Sequence, residues 1–130
     1  MAEQILYVED NDFFSQVVSD ALQKKGYEVT IARDGEEGLH FLEHNVYNLV
    51  FLDLLLPKID GFELLKRMRD QLALNPIPII AVLSNISGED DIKRAKELGV
   101  TDFLVKATTS PEDISVLAER LLSKKDPSTP

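Results

Sequence analysis

The sequence predicts an α/β domain: a doubly wound sheet of five parallel strands flanked by five helices. Three observations carry that prediction. Short β-branched or aliphatic runs alternate with longer amphipathic segments along the chain, which is the pattern of repeated strand and helix units. The inner runs "LVFL" and "IIAVL" are apolar throughout, as strands are when helices cover both faces of a parallel sheet. Three segments open on a capping residue with an acid three positions on, a signature of helix starts.

Taken in order, the first unit is "QILYV" followed by a helix over 12–25. In that helix Phe14, Val17, Val18, Ala21 and Leu22 recur at helical spacing, and Gly26 stands where a left-handed C-cap is wanted. "YEVTIA" leads to a helix over 35–44 with Asp34 and Glu37 at its start, and "NLVFLD" to one over 61–73 with Asp60 and Glu63. "IPIIAVL" precedes a helix over 88–98 that Gly99 ends. "DFLV" precedes a helix over 111–124, where Ser110 and Asp113 flank Pro111 at the first helical position. Right-handed crossovers then favour the flavodoxin-like strand order 2-1-3-4-5.

A chain of 130 residues is the size of one domain, so the domain is expected over 1–124, with 125–130 a flexible tail or the start of a linker. Cysteine is absent, which excludes thiol catalysis, thiolate metal sites and disulfides. Fourteen basic against twenty-three acidic residues give a net charge of −9, which disfavours direct contact with nucleic acid or an anionic membrane. No basic, apolar leader opens the chain, and no apolar run approaches the roughly 18 to 20 residues that cross a bilayer. A cytoplasmic location is expected.

In a doubly wound sheet the functional crevice lies at the carboxyl ends of the strands. Here those ends carry Glu9 and Asp10, Asp53, Ser84, and Lys106. Asp53 interrupts the apolar stretch "LVFLDLLLP", where an unpaired charge would cost several kcal/mol. Three converging carboxylates repel unless a cation joins them, and all-oxygen ligands with open positions suit Mg²⁺. Between that ion and the Lys106 ammonium, Asp53 becomes a carboxylate nucleophile facing a place for phosphoryl oxygens, one of which Ser84 can bond.

The stretches "LYVEDND", "FLDLLLPKIDGFELL", "PIIAVLS" and "DFLVKA", in this order and spacing, resemble the CheY-like receiver domains of two-component response regulators over residues 3–124. The resemblance implies that Asp53 is the phosphoacceptor, Glu9 and Asp10 the acidic pair, and Leu55 a metal ligand through its backbone carbonyl. It further implies that Ser84 is the phosphoryl-sensing hydroxyl, Lys106 the paired lysine and Phe103 the aromatic switch position. A sensor histidine kinase or phosphotransfer protein would then be the donor, and an output protein or fused output domain the receiver of the signal. The fourth helix, fifth strand and fifth helix would form the output face, and a homodimer could use the same face. Two positions depart from the family's usual pattern: Ala107 stands where proline is usual after the lysine, and Asn85 where a small residue is usual after the hydroxyl.

Three other readings compete. "HFLEH" at 40–44 matches the H-x-x-E-H pattern of a zinc peptidase family, but no acidic third ligand is evident. "DND" at 10–12 supplies the D-x-D of a phosphatase of the haloacid dehalogenase type, yet leaves Asp53 unexplained. A phosphorylation-independent interaction module on the same fold is the third.

Overall fold

The computed structural model describes residues 2–74, 77–86 and 88–124. The strands are β1 (Gln4–Val8), β2 (Glu28–Ala32), β3 (Leu49–Leu52), β4 (Ile79–Ser84) and β5 (Asp102–Val105). The helices between and after them are α1 (Asp12–Lys24), α2 (Gly35–His44), α3 (Gly61–Asp70), α4 (Glu89–Glu97) and α5 (Pro111–Lys124). The sheet runs β2-β1-β3-β4-β5 and every pairing is parallel, as expected. Residues 125–130, expected as a tail or linker, lie outside the described residues.

Because successive strand residues point to opposite faces, the unbroken apolar runs feed two cores. Leu6, Val8, Val50, Leu52 and Val82 pack on one face with Leu42, Leu64, Leu65, Met68 and Ala95. Ile5, Tyr7, Leu49, Phe51 and Leu83 pack on the other with Val18, Leu22, Ile114, Ala118 and Leu121. Covering helices on both faces is what permits the inner strands to be apolar on both sides.

The capping signals act as read. Asp34 accepts from the Glu37 N–H at 2.8 Å and Asp60 from the Glu63 N–H at 3.0 Å. Ser110 and Asp113 exchange both bonds, at 3.1 and 3.2 Å, to complete a capping box. Gly26 and Gly99 take φ of +93° and +101° at the ends of α1 and α4, where a side chain would be strained. Two details differ from the sequence reading. Helix α3 stops at Asp70 rather than 73, and a 3-10 turn over Lys106–Thr108 follows β5.

Candidate functional site

Strands β1, β3, β4 and β5 end side by side, so the chain brings Glu9, Asp53, Ser84 and Lys106 together from four separate segments. Glu9 and Ser84 are fully buried and Asp53 is 4% exposed. Lys106 reaches across from the end of β5: its Nζ lies 2.7 Å from Glu9 Oε1 and 2.8 Å from Asp53 Oδ2. Asp53 Oδ1 accepts the Leu55 backbone N–H at 3.0 Å. The charge that an apolar strand could not hold alone is thus compensated by one ammonium and one N–H.

Close backbone packing holds Asp53 in place. A Cβ at Gly61 would stand 2.5 Å from Leu54 Cα and 2.8 Å from the Asp53 carbonyl oxygen. Only glycine lets the start of α3 approach β3 so closely, and its N–H donates to the Leu54 carbonyl at 2.9 Å. Lys58, in the turn between them, adopts φ of +66°. The Ile59 N–H closes that turn on the Pro57 carbonyl at 2.8 Å.

The cluster carries an excess of negative charge: Glu9, Asp53 and the exposed Asp10 face a single ammonium. Burial pushes the Glu9 carboxyl up, more than the bonds from Lys106 and the Asn11 N–H pull it down. Burial alone would lower Lys106, but hydrogen bonds to Asp53 and Glu9 outweigh it and raise the ammonium's pKa. The Tyr7 phenol is driven up by burial and then by the charge on Glu9. Carboxylate oxygens of Glu9, Asp10 and Asp53 lie within 4.8 Å of one another. Three hard oxygens, one of them open to solvent and all short of positive charge, fit a Mg²⁺ ion.

Sequence reasoning missed three supporting residues. Tyr7 donates its hydroxyl to Glu9 Oε1 at 3.0 Å, and Asn11 both caps α1 through the Phe14 N–H and gives its own N–H to Glu9 Oε2 at 3.1 Å. The Phe14 ring lies 4.8 Å from the Lys106 ammonium, within range of a cation–π attraction. Tyr7 was legible in principle, since residues i and i+2 of a strand share a face and a buried hydroxyl needs a partner. Asn85, read from the sequence as a departure whose amide could hold a water near the pocket, accepts the Ala107 N–H at 2.9 Å. Phe103 is partly buried and packs on the same core cluster as Ile86 and Leu98.

The family model of the response regulator receiver domain matches residues 5–119. This chain belongs to that family. The receiver domain is 32% identical over 130 residues to the alkaline phosphatase synthesis transcriptional regulatory protein PhoP of Bacillus subtilis, covering all of this chain and 52% of that protein. It therefore spans about half the length of that relative. It is 33% identical over 122 residues to the two-component response regulator ORR3 of Oryza sativa subsp. indica, with 92% of this chain and 91% of that one covered. The structure of the phosphorylated cyanobacterial phytochrome response regulator RcpA superposes with a TM-score of 0.86 at 30% identity, covering 98% of this receiver domain and 100% of that chain. Chemotaxis response regulator CheY4 of Vibrio cholerae gives 0.84 at 30% identity, with 93% and 99% covered.

Membership in this family removes the peptidase and phosphatase readings, and the geometry agrees. His40 and His44 are exposed, and His44 Nδ1 donates to the His40 carbonyl at 2.8 Å. Among the described residues, the group of three or more potential metal-binding side chains is Glu9, Asp10 and Asp53. Asp12 is exposed in the first turn of α1, its carboxylate 3.5 Å from Arg33. No helix among the described residues is long and apolar enough to cross a membrane.

Proposed function

We propose that this receiver domain accepts a phosphoryl group on Asp53 from a sensor histidine kinase, a phosphotransfer protein or a small phosphodonor, in the cytoplasm. The observation that carries the reading is the Asp53 carboxylate itself. It is buried at a strand end, held by Lys106 at 2.8 Å and the Leu55 N–H at 3.0 Å, and flanked by two further acids.

An Asp53 oxygen forms a bond to phosphorus as the P–N bond to the donor histidine breaks, and the imidazole leaves with that electron pair. Lys106 compensates charge on one phosphoryl oxygen, and the Ser84 hydroxyl hydrogen-bonds another. Glu9, Asp10, Asp53 and the Leu55 carbonyl would hold Mg²⁺, which supplies further charge compensation when bound. The same groups would catalyse hydrolysis of the acyl phosphate, so the domain is a self-resetting switch.

Output follows from Ser84 and Phe103. Drawing the Ser84 hydroxyl toward the phosphoryl group frees space that Phe103 turns into, which alters the surface of α4, β5 and α5 for an output protein, a fused output domain or a second copy. The test is intact mass after incubation with a small acyl phosphate. Wild type should gain one phosphoryl group only with Mg²⁺ present, and Asp53→Asn none; equal labelling of the variant would remove Asp53 from its role. Ser84→Ala should still be labelled, but with weaker NMR shift changes across α4 and β5. A folded wild type that binds Mg²⁺ yet takes phosphate from no donor would instead favour the phosphorylation-independent interaction module.

A further inference from the structure

The two departures from the family's usual pattern, Asn85 and Ala107, are bonded to each other. Strands β4 and β5 pair as far as Ser84 and Val105. Beyond that rung the ladder ends: β4 stops at Ser84, and β5 gives way to the 3-10 segment from Lys106. Just past it the Asn85 Oδ1 accepts the Ala107 N–H at 2.9 Å. A side chain here adds one rung to a ladder that the backbone has left.

Both residues are exposed, so water could satisfy the Ala107 N–H equally well. The bond is therefore not needed for satisfaction, and its effect is to tether. Proline at this place would have no N–H to give and would stiffen the chain through its fixed φ. Alanine supplies the donor and loses the stiffness, while a small residue at 85 would lack the acceptor. Each departure makes sense given the other.

We propose that Asn85 is a positioning residue: through Ala107 it holds the ends of β4 and β5 as one unit, fixing Ser84 and Lys106 relative to each other. The proposal rests on the reading of Asp53 as phosphoacceptor, because Ser84 and Lys106 are the two groups that flank its phosphoryl group there. Lys106 meets Glu9 and Asp53 at 2.7 and 2.8 Å, and a long side chain keeps that aim only while its base is fixed. A displacement of about 1 Å in such a group can be felt strongly in rate.

The test uses wild type, Asn85→Ala, and the double variant Asn85→Ala with Ala107→Pro, which restores the pair the family usually carries. Two quantities are read: the rate of phosphoryl uptake from a small acyl phosphate with Mg²⁺, and amide exchange at Ala107 without phosphodonor. Asn85→Ala should label about fivefold more slowly and exchange the Ala107 amide about fivefold faster, the factor a single net hydrogen bond is worth. The double variant should return to within about twofold of wild type in labelling, since proline needs no acceptor. Unchanged labelling and exchange in Asn85→Ala would overturn the tether. A double variant as slow as Asn85→Ala would overturn it too, because Asn85 would then act on the phosphoryl group by another route. If wild type itself takes up no phosphoryl group, the reading of Asp53 fails and the proposal falls with it.

Discussion

At the scale of single residues, the site is a problem of compensating charge out of water. Glu9 has no exposed surface, and its two oxygens are divided among Lys106, the Tyr7 hydroxyl and the Asn11 N–H. Tyr7→Phe keeps the ring against Phe51 but removes one of those donors. It should cost about 1 to 2 kcal/mol in urea unfolding with an unchanged denaturant slope; no loss would mean that Lys106 and Asn11 satisfy Glu9 alone. Leu55, two residues after Asp53, is 60% exposed, and Ile86, two after Ser84, packs partly buried on the core and offers its N–H to the Ser84 oxygen at 3.4 Å, so the side chains that follow both site residues are apolar. Apolar side chains cannot orient a water for in-line attack, so the phosphoryl group should be lost slowly. The double variant Leu55→Asn with Ile86→Glu should lose it several-fold faster. If the lifetimes match, these side chains do not set them.

At the scale of elements, the helices divide into anchors and a loosely held member. Helix α3 buries Gly61, Phe62, Leu64, Leu65 and Met68, whereas α4 buries only Ala95 and leans on α3 through Arg94 over the Phe62 ring at 4.2 Å. An element with so little buried apolar surface is the one free to respond to a change at β4 and β5. Helix α2 shows how a cap ties an element to pH. The Glu37 N–H and then Lys58 hold the Asp34 carboxyl below its ordinary value of 3.8. A depressed carboxyl contributes stability above its unfolded pKa and loses it as pH falls through the folded one. Asp34→Ala should therefore cost about 1 kcal/mol at neutral pH, and the gap should close as pH drops below about 4. A gap that persists in acid would show that the cap acts without its charge.

At the scale of the whole molecule, the fold brings Asp53 beside Glu9 and Asp10, a like charge from a separate segment. Three carboxylates, two of them buried, face one ammonium in a chain whose net charge is already −9. The cluster costs stability, since burial disfavours a charged Glu9. Mg²⁺ should raise the melting temperature of wild type, because an ion that binds only the folded state stabilises it. Glu9→Gln should be at least as stable as wild type in chelator, and gain nothing from Mg²⁺. A Mg²⁺ shift as large in Glu9→Gln as in wild type would remove Glu9 from the ligand set.

The sequence by itself determined the five strands and five helices, their order and the N-caps of α2, α3 and α5, because each rests on local chemistry. Apolar periodicity, Asp34, Asp60 and Ser110 at helix starts, and Gly26 and Gly99 at helix ends act within a few residues of chain. Glu9, Asp53, Ser84 and Lys106 were legible too, once a parallel sheet aligned its strand ends. What only the tertiary structure decided were the partners across the sheet. Glu9 as a second partner of the Lys106 that was expected to face Asp53, Phe14 beside its ammonium, and Asn85 clasping Ala107 join residues far apart in sequence. Such pairs depend on the register and rotamers of neighbouring strands and helices, which no local pattern encodes. The 3-10 turn after β5 belongs with them, since it forms where the chain leaves the sheet and must still present Lys106 to a carboxylate on another strand.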